Sequence, residues 1–476
     1  MKSMNYILSL ILLLLAATGC KESFQEVNQN PNAPEQVDAQ FLLSNVLWQA
    51  ANNQMMQGWL GGNFLAQQAS NLEFLPIDRY DLGSNTELWN ATYRLLNDLQ
   101  AMQEVAPDND AYQAVGMIMK AYLGAMLTDL WNDVPFSQAI QAKDGNFTPV
   151  YDTQEEIYTG ENGVLDLLEK AVPLLKSTAD RLEGDIMYGG DLSAWVRFAN
   201  SLRLRYLIRI SGQVEVSSEV SALLASGELI EAADENAAVP YLSSAPNQWF
   251  IFNERDGRYS DVRMSARIQT VFDQLDDPRA AAYFKPTLTS VANGNPAYRG
   301  LPNGLSRESQ NAYNLSDISL LGARFRDMPD GLDAIFIGYP EVQFLLAEAT
   351  QKGLISGDTK AFYEAGISAA FAQYAVALPV GYFSRGEVSL DSGVALEKIL
   401  TQKWLALFMQ GYEAWIEVRR TGYPVLEVPK DNLNNDVFPV RFRYPESEQA
   451  ANGANYAQAV SRIGGDSHNS KGWWEQ

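Results

Sequence analysis

The sequence predicts a mostly α-helical protein, and three observations support this class. Apolar residues recur at three- and four-residue spacing through several long segments, which is the period of an amphipathic helix. Alternation typical of strands is confined to two short segments, and Gly, Pro and Asn are concentrated in a few stretches between the periodic ones. After residue 20, no run approaches the roughly 18 apolar residues of a transmembrane helix, so the remainder of the 476-residue chain is predicted to be globular.

The N-terminus is predicted to be a lipoprotein signal peptide. Residues 6–15 are apolar, and the small residues 16–19 lead directly into Cys20, the single cysteine of the chain. This arrangement resembles a bacterial lipobox, so residues 1–19 are expected to be removed and Cys20 to be lipidated. An ordinary secreted protein is the alternative. Residues 20–40 are polar and contain two prolines, which is typical of a tether.

The helical segments follow in order along the chain. Asp191 is predicted to cap one helix, Pro173 to kink or split another, and Gly411 to allow another backbone to approach closely, because it interrupts an apolar stripe. The predicted strands are "AAVPYLS" and "DVFPVRFRYP". The predicted helices are "ELWNATYRLLNDLQAM", "NDAYQAVGMIMKAYLGAMLTDLW", "ENGVLDLLEKAVPLLKS", "DLSAWVRFANSLRLRYLIRISG", "YPEVQFLLAEAT", "DTKAFYEAGISAAFAQYA" and "SGVALEKILTQKWLALFMQGYEAWIEVRRTG".

Composition excludes several classes of function. A net charge of −23 disfavours binding to nucleic acid. His468 is the only histidine, so multi-histidine metal sites are excluded and a Ser-His-Asp triad could use no other residue. The glycine motifs of phosphate and dinucleotide sites are missing from the sequence. No cofactor and no metal are expected, and the one enzyme class left open is a carboxylate-only glycoside hydrolase.

Two irregular stretches, residues 239–264 and 285–333, are predicted to form the ligand face, since loops of this length in a compact domain are usually functional. Aromatic rings in such loops can stack on a sugar ring, and neighbouring polar groups can bind its hydroxyls. The alternative is that these rings fill the core. The binding candidates in these two stretches are Trp249, Phe252, Arg258, Tyr259 and Tyr298.

A second candidate site is the segment "LEFLPIDRYDLGSN", where Asp78, Arg79 and Tyr80 precede a helix. The alternative is a well-capped loop between helices. The four arginines of one helix are predicted to form a charged face that balances the acidic excess, with a basic site for an acidic ligand as the alternative. They are Arg197, Arg203, Arg205 and Arg209.

Several segments, taken in order, resemble the SusD/RagB family of outer-membrane lipoproteins from Bacteroidetes. The C-terminal signatures are the most specific, and the similarity extends over almost the whole mature chain. The segments are "NQNPNAPEQV", "LWNATYRLLNDL", "DLWNDVPFSQAI", "WVRFANSLRLRYLIRIS", "DDPRAAAYF", "YPEVQFLLAEA", "LFMQGYEAWIEVRRTGYP" and "FPVRFRYPESEQAAN".

The resemblance implies tetratricopeptide-like helix pairs packed as one large unit, residues 41–476, with long irregular loops and few short strands. It also implies a lipid-anchored protein on the outer surface of the outer membrane, which captures a ligand and delivers it to a SusC-like TonB-dependent transporter. The expected ligand is a glycan, and a peptide is the alternative. The resemblance carries over no catalytic residue and no ligand-binding residue.

Overall fold

The computed structural model describes residues 37–72, 76–257 and 261–476, so Cys20 and the signal peptide lie outside the described residues. Residues 39–476 form one compact unit. The helices of nine or more residues are α1 Ala39–Gln57, α2 Thr86–Val105, α3 Asp110–Trp131, α4 Val164–Ser177, α5 Leu192–Ile210, α6 Ser217–Ser226, α7 Ala266–Leu275, α8 Tyr339–Gln351, α9 Thr359–Gln373, α10 Ala395–Ala406, α11 Glu413–Thr421 and α12 Gly453–Arg462.

Shorter helical turns occupy much of the chain between these helices. A π-helical turn, Gly58–Gly62, continues α1. The remaining α-helical turns are Asn63–Leu65, Gln154–Thr159, Phe250–Glu254, Ala280–Tyr283, Leu288–Ala292, Arg307–Gln310, Ala323–Arg326 and Glu446–Ala451, and the 3₁₀ turns are Pro76–Arg79, Ala142–Asp144, Ala233–Glu235, Leu315–Asp317, Tyr382–Ser384 and Trp473–Glu475. Several of these turns fall in residues 239–264 and 285–333, so neither stretch is a simple loop.

Four short strands form two antiparallel pairs in the described part of the chain. The strands are β1 Ala69–Asn71, β2 Ala237–Pro240, β3 Val262–Met264 and β4 Asp333–Ile337. β1 pairs with β3, with Asn71 opposite Val262, and β2 pairs with β4. The predicted strand at residues 237–243 is confirmed in its first half. The prediction for residues 436–445 is wrong, because this extended segment bonds to loops and a helix end: the Phe442 N–H donates to the Leu130 carbonyl at 2.9 Å.

Sequence neighbours among the long helices pack against one another. α2 packs on α3, α3 on α4, α4 on α5, and α8 on α9. The prediction of a mostly helical fold with few strands is confirmed. Asp191 caps α5 as predicted, since its carboxylate accepts hydrogen bonds from the N–H groups of Ser193 and Ala194 at 2.9 and 3.3 Å. Pro173 lies inside α4, which is not split.

Gly411 corrects one predicted helix. The segment read as one continuous helix is two, because α10 ends at Ala406, α11 begins at Glu413, and Gly411 between them has φ +58°. This conformation favours glycine. The predicted close approach is confirmed, since a Cβ added at Gly62 would lie 1.8 Å from the Gly411 carbonyl oxygen.

Two of the four arginines on α5 lie in the core and not on the predicted charged face. The Arg205 guanidinium donates to Glu341 at 2.6 Å, and Arg209 donates to Asp129 at 2.5 Å and also to Glu413. These are buried ion pairs, in which each guanidinium is neutralised by carboxylates of other helices or helix ends. Arg197 and Arg203 pair with acids nearer the surface. All four arginines therefore balance acidic residues.

Candidate functional site

Trp249 lies in the core, and the expectation of an exposed aromatic platform is not met at this residue. Its side chain is 0% exposed, and its indole N–H donates to the Phe325 carbonyl at 2.6 Å. Its ring centroid lies 5.9 Å from that of Trp59 and 5.3 Å from that of Tyr241. Residues distant in sequence enclose the ring, so the absence of helical spacing around Trp249 did not indicate exposure.

The other aromatic candidates are placed differently. Phe252 is half-buried beneath the guanidinium of Arg255, which lies 4.4 Å from the ring centroid. Tyr298 is half-buried and packs against the core. Arg258 and Tyr259 lie outside the described residues and stay predictions.

The second candidate segment borders a cleft of about 640 Å³, which we call the Asp78 cleft. One wall comes from β1 and the 3₁₀ turn that follows it, and the other from the chain around the helical turn Arg307–Gln310. The described lining residues are Asn71, Leu72, Pro76, Asp78, Arg79, Gly304, Leu305, Arg307, Gln310 and Asn311. The pairing of β1 with β3 places the end of the first irregular stretch next to this cleft.

The buried carboxylate of Asp78 forms the floor of the cleft and is hydrogen-bonded to residues of both walls. Its side chain is 2% exposed, and one carboxylate oxygen accepts from the Asn303 amide at 2.6 Å. The other oxygen accepts from the Ser70 hydroxyl at 3.0 Å and from the Asn71 N–H at 3.2 Å. Burial raises the pKa of Asp78 to about 6, and the hydrogen bonds oppose this rise. Asp78 therefore supports the cleft as a structural acceptor.

Arg79 is positioned by a third segment of the chain. Its Nε–H donates to the Asp431 carbonyl at 2.8 Å, and the Leu433 N–H donates to the Arg79 carbonyl at 2.6 Å. The Asp431 carboxylate accepts from the Ser306 N–H at 2.9 Å and from the Ser309 hydroxyl, which attaches the opposite wall to the same residue. Arg79 is thus held at the cleft by its bonds to the segment 431–433, and Asp431 of that segment also bonds to the opposite wall.

Tyr80 does not line the cleft. Its side chain is 1% exposed, its ring packs edge-on against Phe438 with centroids 5.7 Å apart, and its φ is +67°. Of the three residues predicted here, the structure places Arg79 in the cleft lining, Asp78 in the floor and Tyr80 in the core.

The cleft is suited to binding a ligand rich in hydroxyl groups. Guanidinium groups donate, and amide groups both donate and accept. Arg307, Gln310 and Asn311 contribute to this set and were not predicted individually, although the stretch that contains them was. Asp431 lies in a segment that no sequence pattern singled out. Among the described lining residues, Asp78 has the single carboxylate, and it is buried.

Neither a metal-binding cluster nor a membrane-spanning helix occurs among the described residues. No cluster of three or more His, Cys, Asp or Glu side chains is arranged to hold a metal ion. Within the same residues, every helix is too short or too polar to cross a membrane.

Comparisons with known proteins extend over most of the chain. A family model for SusD-like proteins, described as starch-binding and associating with the outer membrane, matches residues 31–445. A search of curated proteins gave no significant match.

Solved structures are similar along nearly the full length. An outer-membrane protein of Bacteroides vulgatus that is associated with nutrient binding is 28% identical, with a TM-score of 0.82, and the match covers 92% of this chain and 100% of that one. A SusD homologue of Bacteroides fragilis is 27% identical, with a TM-score of 0.81 and coverage of 93% and 100%. A chitin-binding protein is 25% identical, with a TM-score of 0.79 and coverage of 92% and 99%.

Proposed function

The chain belongs to the SusD-like family, whose members are binding proteins associated with the outer membrane, and from this premise we propose that it captures an oligosaccharide in the Asp78 cleft and delivers it to a SusC-like TonB-dependent transporter. The similarity to a chitin-binding protein supports a glycan ligand. In this proposal the protein holds its ligand for transfer and catalyses no reaction.

The observation that carries this proposal is the lining of the Asp78 cleft. Its volume of about 640 Å³ suits a small oligosaccharide. Two guanidinium groups and three amides face this space, and the contacts of Asp78 and Asp431 hold both walls before any ligand arrives. Walls that are ordered before binding reduce the entropy lost when the ligand is captured.

The lining also argues against glycoside hydrolysis at this place. That reaction needs two carboxyl groups on either side of the scissile bond. Asp78 is the one carboxylate in the described lining, it is 2% exposed, and its oxygens accept bonds from protein groups. Binding therefore fits the cleft better than hydrolysis does.

Capture at the cell surface completes the proposal. Cys20 would be lipidated, residues 20–40 would tether residues 41–476 to the outer leaflet, and the cleft would face the transporter. The segment that contains Asp431 also exposes apolar side chains: Val425, Leu433 and Val437 are 61%, 52% and 43% exposed. Leu433 adjoins the cleft, since its N–H donates to the Arg79 carbonyl, and exposed apolar side chains of this kind suit a protein partner. An N-terminal acyl mass in the wild type, lost in Cys20→Ala, tests the anchor.

Calorimetric titration with maltohexaose and with chitohexaose tests the glycan site. We expect the double variant Arg79→Ala/Arg307→Ala to bind at least about tenfold more weakly, because two sets of hydrogen bonds to the ligand are lost. Arg181→Ala removes an exposed arginine outside the cleft and is the matched control. Equal affinity of the double variant and the control would contradict the assignment of the cleft.

A peptide ligand is the second candidate, and the two guanidinium groups favour it. Arg79 and Arg307 could bind a C-terminal carboxylate in bidentate geometry. Titration with tetra-alanine and with its C-terminal amide distinguishes this case. Binding of the acid alone, with no response to either hexasaccharide, would replace the glycan by a peptide.

A further inference from the structure

A second cleft, of about 670 Å³, lies along α2 and shares no lining residue with the Asp78 cleft. Its other walls come from the chain between residues 135 and 149 and from the helical turn Glu446–Ala451. We call it the Phe147 cleft. Its volume falls within the range of small-molecule sites.

One wall is aromatic. The Phe147 side chain is 74% exposed, more than that of any other described phenylalanine or tryptophan. Tyr93 adds a half-buried ring, whose orientation is set by its hydroxyl bond to the Pro135 carbonyl at 2.8 Å. Exposure of a large ring in water is unfavourable unless a partner covers it, and this ring lies in a cleft.

The backbone on both sides of Phe147 is anchored. The Asn146 N–H donates to the Gln141 carbonyl at 3.1 Å, and the Asn146 side-chain amide donates to the side chains of Gln138 and Gln141 at 3.2 and 3.1 Å. On the other side, the Thr148 carbonyl accepts from the Asn455 amide at 2.9 Å. Phe147 is therefore presented on a fixed turn, which reduces the entropy lost when a ligand stacks on it.

The opposite wall is the polar face of α2. Asn90, Arg94 and Asn97 line the cleft from successive turns of the helix, and their side chains are exposed. Within the described part of the chain, none of the three side chains forms a hydrogen bond or an ion pair. Two amides and one guanidinium thus remain available opposite an apolar ring.

The combination points to an uncharged, hydroxyl-rich ligand. The apolar face of a sugar ring stacks on an aromatic ring, and its hydroxyl groups bond to amides. The carboxylates of Asp98 and Glu448, also in the lining, offset the charge of Arg94, so the cleft has no excess positive charge for an anion.

We propose that the Phe147 cleft is a second carbohydrate-binding site, which takes a short neutral oligosaccharide between Phe147 and the polar face of α2. The ligand class rests on the proposed function, but the site does not depend on the Asp78 cleft. Two sites on one protein would let it hold two parts of one long glycan or two separate chains, which raises the time that ligand spends at the surface.

Calorimetry with maltohexaose and chitohexaose tests the proposal on five proteins: the wild type, Phe147→Ala, Asn97→Ala, Phe41→Ala and the double variant Arg79→Ala/Arg307→Ala. Phe41 is 65% exposed and lies outside both clefts, so it controls for the loss of an exposed phenylalanine. We expect two equivalents of at least one hexasaccharide on the wild type. Phe147→Ala should weaken one of them at least about fivefold, and Asn97→Ala should weaken the same one.

The outcomes separate the two proposals. If the wild type binds one equivalent, and that binding is lost in the double variant but unchanged in Phe147→Ala, the second site is overturned and the Asp78 cleft stays in place. Binding that responds to Phe147→Ala and not to the double variant would support the second site and overturn the first. An equal response to Phe41→Ala and Phe147→Ala would overturn the second site, and binding of neither hexasaccharide to the wild type would contradict both.

Discussion

The floor of the Asp78 cleft is a buried carboxylate, whereas the wall of the Phe147 cleft is a solvent-exposed ring. Asp78 accepts hydrogen bonds from residues on both sides of its cleft. The core residue Trp249 belongs to the stretch 239–264, whose last residues pair with β1 in the wall of the same cleft. The side chains of Phe147 and of the polar face of α2 are exposed to solvent. A site built on buried groups is coupled to folding, and a site built on exposed groups is not. Substitutions behind the first cleft should therefore reduce stability, and substitutions in the second should reduce binding alone.

The largest effect is expected for Trp249→Ala. Removing a fully buried tryptophan leaves a cavity and deprives the Phe325 carbonyl of its donor, which should lower the free energy of unfolding by about 3–5 kcal/mol. Equilibrium denaturation measures this change. A loss below about 1 kcal/mol would show that the ring is not part of the core and would remove the contrast between the two regions.

The next effect is a pH dependence at Asp78. Because burial raises its pKa from 3.8 to about 6, its protonated form favours the folded state. Its contribution to stability is therefore complete below about pH 3.8 and is lost as the pH rises through about 6. A rise of about two pKa units corresponds to roughly 3 kcal/mol.

Asp78→Asn removes this titration while keeping the size of the side chain. The stability of the wild type minus that of the variant should fall by up to roughly 3 kcal/mol between about pH 4 and about pH 7. Denaturation at several pH values measures it. If the stability difference between the wild type and Asp78→Asn does not change with pH, Asp78 is not buried. Both clefts would then be built on exposed groups.

A smaller loss is expected for Gly62→Ala, which lies on the chain leading into β1 and the Asp78 cleft. The new Cβ would meet the Gly411 carbonyl oxygen at 1.8 Å, so the backbone must shift, at a cost of about 1–3 kcal/mol. Gly212→Ala is the matched control, because no atom beyond its two chain neighbours lies within 4 Å of its Cβ position. Equal melting temperatures for the two variants would show that the π-helical turn Gly58–Gly62 and the turn at Gly411 are further apart.

The smallest effect on stability is expected for Phe147→Ala. A side chain that is 74% exposed leaves no cavity, so the free energy of unfolding should change by no more than about 0.5 kcal/mol. Thermal denaturation beside Phe41→Ala measures it. A loss comparable to that of Trp249→Ala would place Phe147 in the core and would end the comparison.

Much of the helical scaffold could be predicted from the sequence. The period of apolar residues located α2, α3, α5, α8 and α9, and the cap at Asp191 marked the start of α5 correctly. These features depend on residues three or four positions apart, which a single sequence displays. The break at Gly411 was not predicted, because the apolar stripe continues through the turn, and the positive φ of Gly411 leaves no mark in that pattern.

The candidate site was predictable as a region and not residue by residue. The sequence singled out the segment around Arg79 and the irregular stretch that contains Arg307, but it also favoured Trp249, and it showed no sign of Asp431 or Phe147.

The sequence by itself determined the class of fold, the positions of several long helices and, through its motifs, the family. The tertiary structure decided which aromatic rings are buried, which polar groups line a cleft and which carboxylate lies beneath it. Helices depend on local hydrogen bonds and local apolar spacing. Burial depends on contacts between distant residues: Asn303 bonds to Asp78, Ser306 to Asp431, and Phe325 to Trp249. Such pairs leave no periodic signal in one sequence, so only the folded chain brings them together.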